Sequence, residues 1–317
     1  MSFDVPGIKV GHATIEQFHT GCTVFLCPDG AVGSVDVRGP GPGTRDTVLL
    51  SPDRPLHEVN AVVLTGGSAF GLATADGVVR YLTEQGIGHV TPIRPVPIVT
   101  AAVVYDLFLS RGERMPDADL GYAACLDARE DNSLQGNVGA GAGVTIGKWA
   151  GPGYFMKGGF GVARIAADDL IVAAAAVVNC IGDVVAADGS VLAGARESSE
   201  GSDEFQWVAG RHPLRYVPYS PLPGLGTNTT LILVATNAKL DKVEAYRLAQ
   251  RAHDGLAIAV RPAHMTHDGD TAFTLATGMV EAPFELTANA AVEVVAEAIR
   301  NGVRHAKTVA DIPGLAG

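Results

Sequence analysis

A chain of 317 residues with 47% hydrophobic and 18% charged content is long and apolar enough to bury a sizeable core, as one large domain or two average ones. A formal net charge of −11 without any cluster of lysine and arginine argues against a nucleic-acid partner gripped through its phosphates. Four scattered cysteines (Cys22, Cys27, Cys125, Cys180) supply neither metal-ligand spacing nor a disulfide framework. The first residues lack a basic-then-apolar leader, and no apolar run approaches the ~20 residues of a bilayer span, so a cytoplasmic protein without membrane contact is expected.

Apolar, β-rich runs predict strands over residues 22–27 and 61–65. A helix capped by Ser68 should follow over 68–85, and a second over 117–128. Strands are expected again over 143–148, 159–166 and 171–179. From 197 to 226 periodicity is lost among Glu, Ser, Asp, Gly and the breakers Pro213, Pro218, Pro221 and Pro223, which reads as exposed loop. Beyond it come a strand over 230–236, a helix over 240–260 with Asp241 in its first turn, a strand over 271–277 and a helix over 286–304. Most of these strands are too apolar to leave a wet face. Helices must therefore cover them, which predicts a layered α/β arrangement of stacked sheets with helices outside.

The run Gly226-Thr-Asn-Thr-Thr-Leu-Ile-Leu-Val-Ala-Thr236 carries the most chemistry. It sets a threonine pair where a glycine-loosened loop becomes a buried strand. A cut between Asn228 and Thr229 would give Thr229 a free α-amine with an ordinary pKa of about 7.7–8.0, a base beside its own hydroxyl nucleophile. The same pair also suits the plain opening of a strand. Lys148 reads as a strand end, and Asn179 as a strand-terminal turn or a fixed amide donor. Asp268 and Asp270, two apart, point to the same side of an extended chain or simply form a turn. His264, His267, Asp268 and Asp270 offer enough ligands for a metal but neither the helical His-Glu-x-x-His arrangement nor thiolates, so no metal is expected. The segment Thr65-Gly-Gly-Ser-Ala-Phe-Gly71 fits no dinucleotide fingerprint, Walker lysine or serine elbow, and no cofactor is expected.

Six motifs stand in order: Val5-Pro-Gly-Ile-Lys-Val-Gly-His-Ala-Thr14; Val35-Asp-Val-Arg-Gly39 with Gly43-Thr-Arg45; Leu64-Thr-Gly-Gly-Ser-Ala-Phe-Gly-Leu72; Gly136-Asn-Val-Gly-Ala-Gly-Ala-Gly143; Lys157-Gly-Gly159; and His264-Met-Thr-His-Asp-Gly-Asp-Thr271. Together they resemble, over nearly the whole chain, the DmpA family of self-processing hydrolases, which includes L-aminopeptidase/D-esterases, β-peptidyl aminopeptidases and the nylon-oligomer hydrolase. The resemblance implies a four-layer αββα sandwich and one domain spanning 1–317. It also implies a cut between Asn228 and Thr229 into fragments 1–228 and 229–317, with Thr229 as nucleophile. A Thr preceded by Asn is most similar to the nylon-oligomer branch, whose site lysine then falls on Lys148, oxyanion-stabilising asparagine on Asn179 and acidic pair on Asp268 and Asp270. An amide or peptide hydrolase acting through an acyl-enzyme on a small amide or peptide is the implied activity, in a homotetramer of processed protomers. An ornithine-acetyltransferase-like acyl transferase, or a non-catalytic binding protein on the same fold, stays open as an alternative.

Overall fold

The computed structural model of the chain describes residues 2–151, 153–197, 206–207 and 228–317. The loop expected over 197–226 therefore lies almost entirely outside the described residues. The first half contributes β1 Lys9–Ile15, β2 Thr20–Val37, β3 Thr44–Arg45, β4 Glu58–Thr65, α1 Thr74–Glu84, β5 Val99–Val103, α2 Leu107–Ser110 and α3 Ala118–Asp127. There follow β6 Thr145–Ile146, β7 Met156–Lys157, β8 Phe160–Ala167, β9 Leu170–Asn179, β10 Asp183–Val185, β11 Val191–Ala193, β12 Arg196–Glu197 and β13 Gln206–Trp207. The last segment adds β14 Thr229–Ala238, α4 Lys242–Ala259, β15 Val260–Arg261, β16 Thr271–Val280 and α5 Phe284–Arg304.

One sheet runs in the order β3-β5-β4-β2-β16-β14-β9-β8, with β1 also paired to β2. The 18-residue β2 joins its two halves. Its first part pairs with β1 and β4, and its last part, from Val32 to Val37, pairs with β16. Between them the register with β4 slips at Pro28-Asp29-Gly30. Pro28 has no N–H to give the ladder, and Gly30 takes φ +81°, which an L side chain resists. The strand bends there and the sheet folds back over itself.

Side-chain alternation, period two along each strand, then sorts the core into three slabs. Odd-numbered Ala173, Ala175 and Val177 of β9, with Leu231 and Leu233 of β14, meet Phe25 of β2 and Val62 and Leu64 of β4 between the facing halves. Even-numbered Val172, Ala174, Ala176, Ile232 and Val234 face outward onto Leu248, Ala252 and Leu256 of α4 and Ala291, Val295 and Ile299 of α5. On the opposite outside, Cys22, Val24, Ala61 and Val63 pack under Ala75, Val78 and Leu82 of α1 and Ala124 and Cys125 of α3. The result is the four-layer αββα sandwich. All ten residues of β14 are buried, at roughly 1.5–3 kcal/mol for each large aliphatic side chain withdrawn from water, which makes this strand a rigid base for whatever stands at its start.

Several local expectations differ from the structure. Residues Ser68–Ala73 form a 3-10 turn, with Ser68 at φ +53° and no side-chain cap, so α1 starts at Thr74. Asp241 stands just before α4 as its N-cap, with Glu244 completing a capping box. Of the strand expected over 143–148 only Thr145–Ile146 pairs, and Lys148 opens a 3-10 turn, Lys148–Ala150, after Gly147.

Candidate active site

Strand pairing brings the expected site residues together before any side chain is considered. β14 runs antiparallel to β9, with Thr229 opposite Asn179, and parallel to β16, with Leu231 opposite Thr271. The start of β14, the end of β9 and the approach to β16 therefore coincide at one end of the sheet. Asn228 forms an isolated bridge with Asp268, and Thr230 N donates to Asp270 Oδ1 at 2.7 Å.

The peptide joining Asn228 to Thr229 is held in an uncommon way. Its carbonyl oxygen accepts from Thr229 Oγ1 at 2.5 Å and from Gly269 N at 2.9 Å. The hydroxyl of Thr229 thus lies against the carbonyl that precedes it, and a backbone N–H polarises that same carbonyl. Both Asn228 and Thr229 are buried.

Lys148 reaches the same place from its turn. That turn is tied down by Gly147 N to Gly182 O at 3.0 Å and Trp149 N to Ile181 O at 3.1 Å, with Trp149 Nε1 on the buried Asp183 Oδ1 at 2.7 Å. Lys148 Nζ donates to Asn179 O at 3.0 Å and to Asn179 Oδ1 at 2.9 Å. Burial brings its ammonium down to about 7, against an upward pull from Cys180, Asp268 and Asp270. Asn179 Oδ1 also accepts from Thr145 N at 3.1 Å, and its amide nitrogen donates to Tyr105 O at 3.1 Å. The amide is thereby fixed in orientation, one of its two N–H bonds committed to Tyr105.

Asp268 and Asp270 are both buried. Burial first, and then the neighbouring Asp270, push the Asp268 carboxyl up to about 7. Asp270 is tied to His264 through Nδ1 at 2.8 Å. His267 is exposed, and no group of three or more His, Cys, Asp or Glu side chains is placed to hold a metal ion among the described residues.

All five expected side chains and the Asn228–Thr229 peptide meet at this one position. Gly269, Thr145 and Tyr105 were not anticipated, and His264 was considered only as a metal ligand. The motif His264-Met-Thr-His-Asp-Gly-Asp-Thr271 contained two of these four, and a fixed glycine between two buried acids was the available signal. Tyr105 contributes only a backbone carbonyl, for which no residue-type signal exists.

Residues 3–315 match the protein family described as peptidase family S58. The chain belongs to that family. Its sequence is 39% identical over 352 residues to an uncharacterised aminopeptidase of Mycobacterium leprae, covering 99% of this chain and 92% of that protein. It is 30% identical over 288 residues to the 6-aminohexanoate-oligomer endohydrolase of Paenarthrobacter ureafaciens, covering 89% of this chain and 76% of that one. Among solved structures, the L-aminopeptidase D-Ala-esterase/amidase of Ochrobactrum anthropi superposes with a TM-score of 0.70 at 18% identity, covering 96% of this chain and 86% of the other. That structure is described as a variant of the N-terminal-nucleophile hydrolase fold, and this S58 chain shares the fold. It is an enzyme of the peptidase and amidohydrolase class.

Proposed function

We propose that the chain is a self-processing amide hydrolase whose nucleophile is Thr229. The observation that carries this reading is the doubly contacted carbonyl of Asn228, with Thr229 Oγ1 at 2.5 Å and Gly269 N at 2.9 Å. In the first step Thr229 Oγ attacks the Asn228 carbonyl carbon, and the Gly269 N–H holds the oxygen as it becomes an oxyanion. Before cleavage the α-nitrogen of Thr229 is an amide and is no base. Lys148, bonded to the residue paired with Thr229 and brought by burial to about 7, accepts the hydroxyl proton. That proton passes to the Thr229 nitrogen as the C–N bond breaks, leaving an ester on Oγ and a free amine. Water then splits the ester into an Asn228 carboxylate and the restored hydroxyl.

The mature Thr229 repeats the chemistry on a substrate amide with its own amine as base. Attack forms an acyl-enzyme and expels the substrate's amine, and water releases the acid. Asn179 donates to the substrate oxyanion, while Lys148, Asp268 and Asp270 set the amine's charge and orientation. The names of the relatives point to two substrate groups, N-terminal residues of peptides and 6-aminohexanoate oligomers. Processed protomers would assemble as a homotetramer in the cytoplasm, which light scattering on the purified protein tests.

Intact-mass measurement and N-terminal sequencing decide the processing step. The expected products are fragments 1–228 and 229–317, the second beginning at Thr229. Thr229→Ala should give one uncut chain inactive on a panel of amino-acid amides, short peptides and aminohexanoate oligomers. An active protein that stays full-length would overturn the reading.

A further inference from the structure

The two buried carboxylates beside Thr229 are unequally hydrogen-bonded. Asp270 accepts three N–H groups: Thr230 N on Oδ1 at 2.7 Å, and His264 Nδ1 at 2.8 Å and His264 N at 3.3 Å on Oδ2. Asp268 accepts one, Met265 N on Oδ2 at 2.7 Å. Its Oδ1 is buried without a hydrogen-bond partner among the described residues. N–H donors favour the ionised form of a carboxyl, and two neighbouring carboxyls resist carrying two charges at once. The proton that such a pair keeps falls to the member with fewer donors.

The imidazole of His264 is held at Nδ1 by Asp270 and by ring contact with a second histidine, while its Nε2 is buried with no hydrogen-bond partner among the described residues. Its backbone takes φ +54°. Its ring packs edge-on against the buried ring of His253 in α4, with centroids 4.9 Å apart and planes at 64°. His253 Nε2 in turn meets Asp36 O of β2 at 3.0 Å, and just beyond, Arg38 N and Gly39 N donate to Asp270 O at 3.0 and 3.1 Å. The ionisable groups around the imidazole are thus Asp268 and Asp270 on its own loop and His253 on α4, with Asp36 of β2 and Arg38 just after it beside His253, while Lys148 faces the acid pair from its turn. With a carboxylate as acceptor, the hydrogen of the 2.8 Å contact sits on His264 Nδ1.

We infer that His264 is a positioning residue that holds Asp270 ionised and thereby keeps the proton shared by the acid pair on Asp268 Oδ1. Only the effect on rate rests on the reading of this site as the catalytic centre; where the proton sits does not. Asp268 then offers an O–H donor in the site beside an anionic Asp270, a pair of unlike groups made from two like residues.

The test uses the full uncut chain carrying Thr229→Ala, so that processing does not intervene. Infrared difference spectra near neutral pH, with and without Asp268→Asn, should show one protonated-carboxyl band lost with Asp268. His264→Gly accepts the left-handed backbone but removes the imidazole donor, so the proton should redistribute between the two carboxyls and the band should move to a new frequency. His264→Asn, which returns an amide N–H near the position of Nδ1, should restore it. In the processed enzyme the acid limb of kcat/KM should follow the same order. Absence of an Asp268-dependent band, or a band unmoved in His264→Gly, overturns the assignment. A parent protein that neither cuts itself nor hydrolyses amides would sink the functional reading instead and leave the spectroscopic result standing.

Discussion

An ideal Cβ on Gly269 would stand 2.7 Å from Thr229 Oγ1 and 2.8 Å from the carbonyl oxygen of Gly41, closer than real side-chain carbons settle against other atoms. This glycine lets its own N–H approach the Asn228 carbonyl while leaving room for the hydroxyl beside it. Gly269→Ala should therefore displace Oγ1 or lift the loop from residue 41, and either shift of about 1 Å is enough to slow self-cleavage about 100-fold. The appearance of the two fragments on a denaturing gel over time measures it, and wild-type cutting in Gly269→Ala would show that this contact is not needed. The neighbouring Thr230 offers the opposite contrast. Its Oγ1 is buried without a hydrogen-bond partner among the described residues, and it meets the acid pair through its backbone N–H on Asp270. Thr230→Val keeps the shape and removes an unsatisfied hydroxyl, so it should still be cut at Thr229 and be at least as stable as the parent. N-terminal sequencing of that variant shows which threonine reacts, since loss of cutting there would move the nucleophile one residue along.

Among the elements, α4 shows most plainly how local sequence sets local structure. Asp241 Oδ1 accepts from Glu244 N at 2.8 Å and Glu244 Oε2 accepts from Asp241 N at 2.9 Å, two otherwise orphaned donors satisfied reciprocally. Asp241→Ala should cost about 1 kcal/mol in denaturant unfolding. It should leave processing untouched, because His253, the residue of α4 that meets the site loop, lies three turns further along. β9 and β14 were readable from sequence because their neighbours cover both faces, so β9 is apolar up to Asn179 and β14 is apolar from Leu231 to Ala235. β1, β5 and the second half of β2 escaped notice. Lys9–Ile15 mixes Lys, Gly, His and Thr, and β2 continues through Pro28 and Gly30, which read as a stop although the strand only bends there. Lys148 follows three strand-like residues, yet φ +69° at Gly147 turns the chain out of the ladder and carries the lysine to Asn179. That Thr229, Lys148, Asn179, Asp268 and Asp270 belong together was legible as a pattern, and the fold does bring them to one place. The contacts that orient them were not, since Tyr105 O and Gly269 N act across the fold rather than along the chain.

At the scale of the whole molecule, two enclosed lysines make stability depend on pH near neutrality. Burial brings both Lys148 and Lys157 from 10.5 to about 7 in the folded chain. Unfolded, each keeps its proton to about pH 10. Above pH 7 the unfolded chain therefore holds more protons, and folding gains stability as pH rises, by at most about 1.4 kcal/mol per pH unit for each lysine. Other shifted groups act outside this window. Asp268, raised to about 7, loses stability as pH climbs from the ordinary carboxylate range towards 7 and adds no slope above it. His12, lowered to about 4, gains stability with rising pH only up to its ordinary 6.5. The four buried thiols are all raised, so they oppose folding once unfolded cysteines ionise at about pH 8.5. Between pH 7 and about 8.5 the lysines set the sign, and the thermal midpoint of the uncut Thr229→Ala chain should rise across that interval. Lys157 Nζ donates to the carbonyls of Gly141, Val144 and Gly158 at 3.1, 3.0 and 3.1 Å, joining the glycine-rich loop to β7. Lys157→Met in the same background should lower the midpoint at every pH, because those three carbonyls lose their donor, and should also shrink its rise. A midpoint that stays level or falls from pH 7 to 8.5 in the parent would mean that both lysines keep their protons in the folded state, and Lys148 could then no longer serve as the base that starts self-cleavage.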